Sequence, residues 1–322
     1  MARILTGVQS TGIPHLGNII GAIIPAIKMA EDEMNESFLF IADLHSITQI
    51  KDCHQLSENT FATAATWLAC GLNPEKTIFF RQSAVAQVTE LAWFLSCFFP
   101  YQRLKLAHSF KDKSDHLGDV NCGLFTYPML MASDILIYNA EFVPVGKDQL
   151  QHIEITRDVA SRFNHQFGET FVLPKPKIEE NTQYVTGTDG EKMSKSKNNT
   201  INIFLQEKKL RSQIMSIKTD SKSIDEPKNP NQCNLFKLFS ILGNKNQIDV
   251  LRQKYLNGGV GYGDTKQELF ELILEKFKTE RTKFKYYNEN PREVELALEK
   301  GAYKASKIAD EVLLKVRSKL GF

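Results

Sequence analysis

The first half of the chain alternates short apolar runs with longer stretches of helical period. Arg3–Gly7, Thr77–Arg81 and Glu141–Val145 read as short strands, and Ser37–Asp43 (SFLFIAD) as a run typical of a strand buried on both faces. Between them, Asn18–Glu33 carries Ile19, Ile20, Ile23, Ile24 and Ile27 at helical spacing. Gln55–Cys70 reads as a helix ending before Gly71, Val88–Phe99 as one stopping at Pro100, and Gln149–Phe167 as an amphipathic helix closed by Gly168. Strands alternating with helices predict an α/β fold with a doubly wound parallel sheet. After Lys197 the strand signals cease. Asn202–Lys218, Asn234–Leu242, Lys245–Tyr255, Lys266–Tyr287 and Arg292–Leu320 all read as helical, joined by polar or Gly-rich connectors at Asp220–Gln232 and Gly258–Asp264. This change of character places a boundary near residue 200, with an α-helical domain following an α/β one.

Composition narrows the picture only at a few points. The 322 residues suit one large or two smaller domains. A net charge of +2 rules out a global basic field, so any nucleic-acid surface must come from local clustering. The five cysteines, Cys53, Cys70, Cys97, Cys122 and Cys233, form no CxxC pair and give no metal-site spacing, as expected of reduced thiols in a cytoplasmic protein. No leader and no membrane-spanning run is read, so no membrane partner is expected.

Two segments carry candidate chemistry. Leu5–Gly12 (LTGVQSTG) leaves the first strand as a small, polar loop, and Pro14-His15-Leu16-Gly17-Asn18 opens the first helix. Ligands of open α/β sheets sit at the carboxyl ends of strands, above a helix N-terminus whose free N–H groups and partial positive charge suit phosphate. His15 can add a donor, and Gly17 leaves room for a nucleoside. The segment is neither a GxxxxGK[ST] P-loop nor a GxGxxG. The second segment, Lys192-Met193-Ser194-Lys195-Ser196-Lys197, follows the turn Asp189-Gly190-Glu191. Lysines and hydroxyls on such a loop can follow charge as it moves onto a leaving pyrophosphate. Taken singly, each segment is also compatible with an ordinary connection or a solvated loop; together on one α/β domain they point to a nucleotide.

The pair HLGN (His15–Asn18) and KMSKS (Lys192–Ser196) resembles the two signature motifs of class I aminoacyl-tRNA synthetases. Gly7–Gly12, Ile41–Thr48 (IADLHSIT), Leu124–Asn139 (LFTYPMLMASDILIYN), Val143–Asp158 (VPVGKDQLQHIEITRD), Asn234-Leu235-Phe236 and Gly261–Asp264 extend the similarity to the bacterial-type tryptophanyl-tRNA synthetases over nearly the whole length. Three positions depart from that pattern: Ser10 replaces a usual Pro, Leu5 a common aromatic, and Tyr184 a frequent basic residue.

The resemblance implies a Rossmann-like catalytic domain over residues 1–200 and an α-helical anticodon-binding domain over 201–322, its last helix packing back on the first. It implies a ligase that activates L-tryptophan with ATP and Mg²⁺ bridging the phosphates, then transfers it to tRNA(Trp), in a homodimer. Gln9, Ser10, Thr11, Gly17, Asn18, Gly146, Lys147, Asp148 and Val185 would contact ATP together with Lys192, Met193, Ser194, Lys195 and Ser196. His15, Lys192 and Lys195 would act on the phosphates, and Lys111 would reach them too, with neighbouring Lys113 or simple solvation of Lys111 an equal alternative. Tyr127, Met131 and Asp134, spaced i, i+4, i+7, share one helix face. There Asp134 would accept the indole N–H, a group with one donor and no acceptor; pairing with a Lys or Arg is the alternative. Met131 and Val145 would pack the ring, with plain core the alternative for each, and Tyr127, Gln149, Gln9 and His45 would hold the ammonium and carboxylate, with structural hydrogen bonding an equal alternative for His45. Lys208, Lys209, Arg211, Lys278, Arg281, Lys283 and Lys285 are basic candidates for tRNA. The competing readings are a tyrosyl-tRNA synthetase, a small-molecule nucleotidyltransferase of the same superfamily, and a synthetase-like RNA-binding protein without activity. The helical half argues against the second, and the joint presence of His15, Asp134, Lys192 and Lys195 against the third.

Overall fold

Five parallel strands make one sheet in the order β3-β2-β1-β4-β5. The computed structural model describes residues 1–106, 121–146, 149–178 and 185–322. The strands are β1 (Ala2–Val8), β2 (Asn35–Ile41), β3 (Ile78–Arg81), β4 (Phe142–Val145) and β5 (Lys175–Ile178). Period-two alternation serves two layers at once: Leu39, Ile41 and Phe79 pack into one apolar core, Phe38, Phe40, Ile78 and Phe80 into the other. Both faces are therefore covered, as an all-parallel sheet requires.

The segments that read as strands and helices in the first half adopt those states to within a few residues. The first helix is the exception in detail. It runs as α1 (Leu16–Asn18), a π-turn (Ile19–Ile23) and α2 (Ile24–Ala30). Pro25 has no N–H to give a carbonyl one turn back, and the wider π register just before it accommodates that loss. Among the described residues the remaining α-helices of this half are α3 (Asp43–Ser46), α4 (Cys53–Ala69), α5 (Gln87–Phe98), α6 (Tyr101–Lys105), α7 (Cys122–Leu136) and α8 (Leu150–Phe167). β5 has no counterpart in the sequence reading. Its four residues, KPKI, are exposed throughout, and Lys and Pro are devices that blunt an edge strand while hiding it from a hydrophobicity pattern.

In the second half α9 (Glu207–Met215) is shorter than the expected Asn202–Lys218, because Asn202 accepts from Phe204 N–H and turns the chain before the helix starts. α10 (Asn234–Leu242) and α11 (Lys245–Asn257) follow. The expected Lys266–Tyr287 helix divides at Phe277 into α12 (Tyr262–Lys276) and α13 (Lys278–Glu289). The last helix, α14 (Pro291–Leu320), runs along the outer edge of β3. A Cβ on Gly301 would lie 1.8 Å from the Phe79 carbonyl oxygen, so the helix backbone rests directly on the strand. Arg81–Glu295, Arg317–Glu90 and Lys300–Glu75 ion pairs flank this contact. Among the described residues no helix is long and apolar enough to cross a membrane.

Candidate active site

The site follows from how β1 meets its neighbours. β1 pairs with β2 along its whole length but with β4 only at Ile4 and Phe142. Beyond that point the two strands diverge, at the place where the strand order reverses direction. Side chains cannot close such a gap, and ligands of open α/β sheets bind there. A cavity of about 450 Å³ opens in it, lined by Leu5, Gly7 and Gln9 from β1 and its loop, Val143–Gly146 from β4, and Tyr127, Met131 and Asp134 from α7. The i, i+4, i+7 face inferred from the sequence is thus the cavity wall. Gln149, His45 and His152 also line it, so Val145 and every other residue assigned to the amino-acid pocket meet at one cavity.

Asp134 is 2% exposed. Among the described residues its partners are neither Lys nor Arg. His45 Nε2 lies 2.9 Å from Oδ2, and the Gln82 amide nitrogen donates to Oδ1 at 2.8 Å and Oδ2 at 2.9 Å. Burial pushes the Asp134 carboxyl above the ordinary carboxylate range, and the donors His45 and Gln82 oppose that rise. His45 therefore hydrogen-bonds the carboxylate, which is the structural alternative to a grip on the substrate's ammonium and carboxylate. Gln82 and His152 were not singled out in the sequence. Gln82 had a usable signal: a polar residue directly after the buried strand β3, at its carboxyl end. His152 lies 3.0 Å by Nε2 from the Tyr127 hydroxyl, linking α8 to α7.

The second part of the site is where the two motifs meet. His15 caps α1: the Asn18 N–H donates to its Nδ1 at 3.2 Å, and the Asn18 side chain accepts from the His15 N–H. A main-chain N–H can only donate, so Nδ1 is unprotonated and the neutral ring carries its hydrogen on Nε2. Burial, then the charge of Lys195, pulls the imidazole down to about 4, so it is neutral through the working range. The free N–H groups expected at this helix end are engaged within the protein. Leu16 N–H donates to the Ile201 carbonyl, Gly17 N–H to Met193 Sδ and Asn18 N–H to His15. The helix end thus offers an anion its dipole and the His15 side chain in place of bare amides.

The lysine–serine loop is held by Asn199, itself 2% exposed and absent from the sequence assignments. Asn199 accepts from Ser194 N–H and donates to the Lys192 carbonyl and to Asp189. Met193 is buried beside Val185, whose carbonyl accepts from Met193 N–H; both side chains are core, which anchors the loop and leaves Lys192 and Ser196 exposed and Ser194 and Lys195 half-buried. Lys195 Nζ donates to the Gly12 carbonyl at 2.6 Å, and burial lowers its ammonium to about 8. Ser10 is a correction. It is fully buried, accepting from Thr60 Oγ1 and donating by N–H and hydroxyl to Ser46, so it is not presented to a nucleotide. A Pro here would have no N–H for Ser46, and that hydroxyl chain is how this chain accommodates its departure. Gln9 and Thr11 stay accessible beside it, as do Gly17 and Asn18. Gly146 lies on the cavity wall, whereas Lys111, Lys113, Lys147, Asp148 and Tyr184 lie outside the described residues.

A parallel sheet with its cavity at the switch point, flanked by an HLGN cap and a KMSKS loop that touch each other, defines a class I aminoacyl-tRNA synthetase fold. The family model of tRNA synthetases class I (W and Y) matches residues 1–278, and the chain belongs to that family. Within it, the tryptophan–tRNA ligase of Fusobacterium nucleatum is 46% identical over 100% of this chain and 98% of its own length. The tryptophan–tRNA ligase of Campylobacter jejuni is 44% identical over 99% of both chains. The crystal structure of the Campylobacter jejuni tryptophanyl-tRNA synthetase complexed with ADP and tryptophan superimposes with a TM-score of 0.95 at 43% identity, over 99% of this chain and 100% of that one. The Mycoplasma pneumoniae tryptophanyl-tRNA synthetase gives 0.80 at 28% identity, over 100% and 98%.

Proposed function

We propose that this chain is a tryptophan–tRNA ligase that converts L-tryptophan and ATP to tryptophanyl-adenylate and pyrophosphate, then passes the tryptophanyl group to tRNA(Trp) and releases AMP. The observation that carries this reading is Asp134: a buried carboxylate on the wall of the switch-point cavity, held by neutral or titratable donors and, among the described residues, by no fixed cation. Such a group suits one N–H donor on an otherwise apolar ring, which Met131 and Val145 would sandwich.

The chemistry needs no side-chain nucleophile. The tryptophan carboxylate attacks the α-phosphorus in line, and the protein contributes position and charge. Gln9, Thr11, Gly17, Asn18 and Gly146 would hold the nucleoside and sugar. His15 would donate from Nε2 to a phosphate oxygen, and Lys192 and Lys195 would take up the charge leaving with pyrophosphate. Ser194 and Ser196, which share a hydrogen bond at 2.8 Å, would contact the phosphates from the same loop. Tyr127, Gln149 and Gln9 would take the ammonium and carboxylate. The described residues at the phosphate end are imidazole, ammonium and hydroxyl groups, a poor donor set for a divalent cation, so Mg²⁺ would arrive bridged between the phosphates of ATP.

We assign residues 1–200 to catalysis and 201–322 to tRNA, with α14 bracing the first against the second. Exposed Lys208, Lys209, Lys278, Lys283 and Lys285 are the candidate phosphate contacts. Arg211 and Arg281 are less available: Arg211 donates to Gln267, and Arg281 to the Ile203 and Leu205 carbonyls. The chain would work as a cytoplasmic homodimer; Trp93, 69% exposed on α5, supports an apolar face there.

ATP–pyrophosphate exchange driven by tryptophan and by tyrosine tests the reading. Exchange should depend on tryptophan, with tyrosine at least about 100-fold poorer. Tyrosine-driven exchange, or none with either amino acid, would overturn it.

A further inference from the structure

The geometry points to Gln82 as the positioning residue that sets indole specificity, by fixing the Asp134 carboxylate so that a single acceptor position is left for the substrate. The inference rests on the tryptophan site proposed above. Gln82 is 1% exposed and sits at the carboxyl end of β3, in the 3₁₀ turn Gln82–Ala84. Its amide orientation is fixed by chemistry. Oε1 accepts from the His45 main-chain N–H at 3.3 Å, and a main-chain N–H can only donate. The NH₂ end must then face Asp134, where it forks across both carboxylate oxygens at 2.8 and 2.9 Å.

An ionised carboxylate offers about four acceptor positions. Gln82 takes one on each oxygen and His45 a second on Oδ2. Among the described residues that leaves one position on Oδ1. The fork also prevents the carboxylate from rotating to meet a donor elsewhere. Gln82 touches Asp134 and His45 at once, so one side chain from the end of β3 ties the α7 carboxylate to the turn after β2. Without it, Asp134 would be a buried carboxylate held on Oδ2 by His45 alone, with Oδ1 unmet and the group less firmly oriented, a poorer reader of a single N–H.

The experiment measures pyrophosphate exchange with tryptophan and with β-(benzothiophen-3-yl)alanine, whose sulfur replaces the indole N–H. Gln82→Met keeps the length and removes the fork. It should raise KM for tryptophan roughly 10-fold or more, leave KM for ATP unchanged, and erase most of the preference for tryptophan over the sulfur analogue. Gln82→Glu keeps the acceptor for His45 N–H and can donate to Asp134 only while the pair shares a proton. Its KM for tryptophan should therefore fall on acidification from pH 8 to 6, whereas the wild-type value should hold or rise. An unchanged preference in Gln82→Met, a parallel rise in both KM values, or equal pH slopes for wild type and Gln82→Glu would overturn the inference. If wild type shows no tryptophan-driven exchange, it is the underlying tryptophan reading that fails.

Discussion

The ammonium of Lys195 donates to the Gly12 carbonyl at 2.6 Å, joining two loops 183 residues apart. Only glycine permits the contact. Gly12 adopts φ +139°, and a Cβ there would lie 3.2 Å from the lysine chain. The lysine–serine loop thus rests on the β1–α1 loop through one charged bond. Phosphate arriving between them would replace a carbonyl dipole by a full negative charge, at a site dry enough to hold the Lys195 ammonium near 8.

Lys195 therefore predicts an alkaline limb. Above about pH 8 the free protein loses this ammonium, and ATP capture must take up a proton from solution. kcat/KM for ATP should decline through that pH, while KM for tryptophan stays level. Lys195→Ala should cost roughly 10²–10³-fold in activation rate with tryptophan affinity nearly unchanged. Lys195→Arg, charged at every accessible pH, should lack the limb even where its rate is lower. A limb that persists in the arginine variant would show that another group titrates.

His15 predicts an acid sensitivity of folding. The imidazole of the unfolded chain takes its proton near 6.5, and the folded one only at about 4. Between those values the unfolded state binds more protons, so stability is lost as pH falls across the window and is fully present above it. His15→Asn keeps an N-cap acceptor but does not titrate. Urea unfolding at pH 7, 5.5 and 4 should find wild type losing on the order of 2–3 kcal/mol relative to this variant. Parallel stability profiles would contradict the buried neutral ring.

Asp134 separates the two substrates. Asp134→Ala should weaken tryptophan binding by about 100-fold and leave ATP binding intact, as measured by calorimetry with each ligand alone. Its raised pKa adds a direction: tryptophan affinity should fall on acidification earlier than an ordinary aspartate would allow. Loss of ATP affinity in the variant would mean that Asp134 holds the sheet ends together and does not read the indole.

What the sequence made legible was periodic or contiguous. The strands of the sheet other than β5, the α7 face with Tyr127, Met131 and Asp134, and the two short motifs each declare themselves within about eight residues. What stayed hidden depends on pairing across distance. Gln82 meets Asp134 only because the fold lays α7 beside the carboxyl end of β3, which lies 52 residues earlier in the chain. Asn199 fixes the lysine loop from one residue in a polar run that looks solvated. Ser10 turns inward because Ser46 and Thr60, far along the chain, supply partners. β5 is too short and too charged to carry a pattern.

Gly301 tests whether the last helix supports the site. Its absent Cβ would lie 1.8 Å from the Phe79 oxygen and 2.5 Å from the Phe79 carbonyl carbon, both main-chain atoms that cannot yield by a rotamer change. Gly301→Ala must push α14 off the edge of β3 or bend the strand, and with main-chain atoms in the way the cost should lie at the upper end of the overpacking range, about 3 kcal/mol. β3 leads straight into Gln82, so the displacement should also raise KM for tryptophan. Gly263→Ala is the matched control: it lies in α12, with open space where the alanine methyl would sit, and should be neutral or stabilising by about 0.5–1 kcal/mol. Urea midpoints and tryptophan KM for the two variants check this together. Equal stability of the two would mean that α14 can ride off β3 freely, and that the edge strand holds Gln82 in place without it.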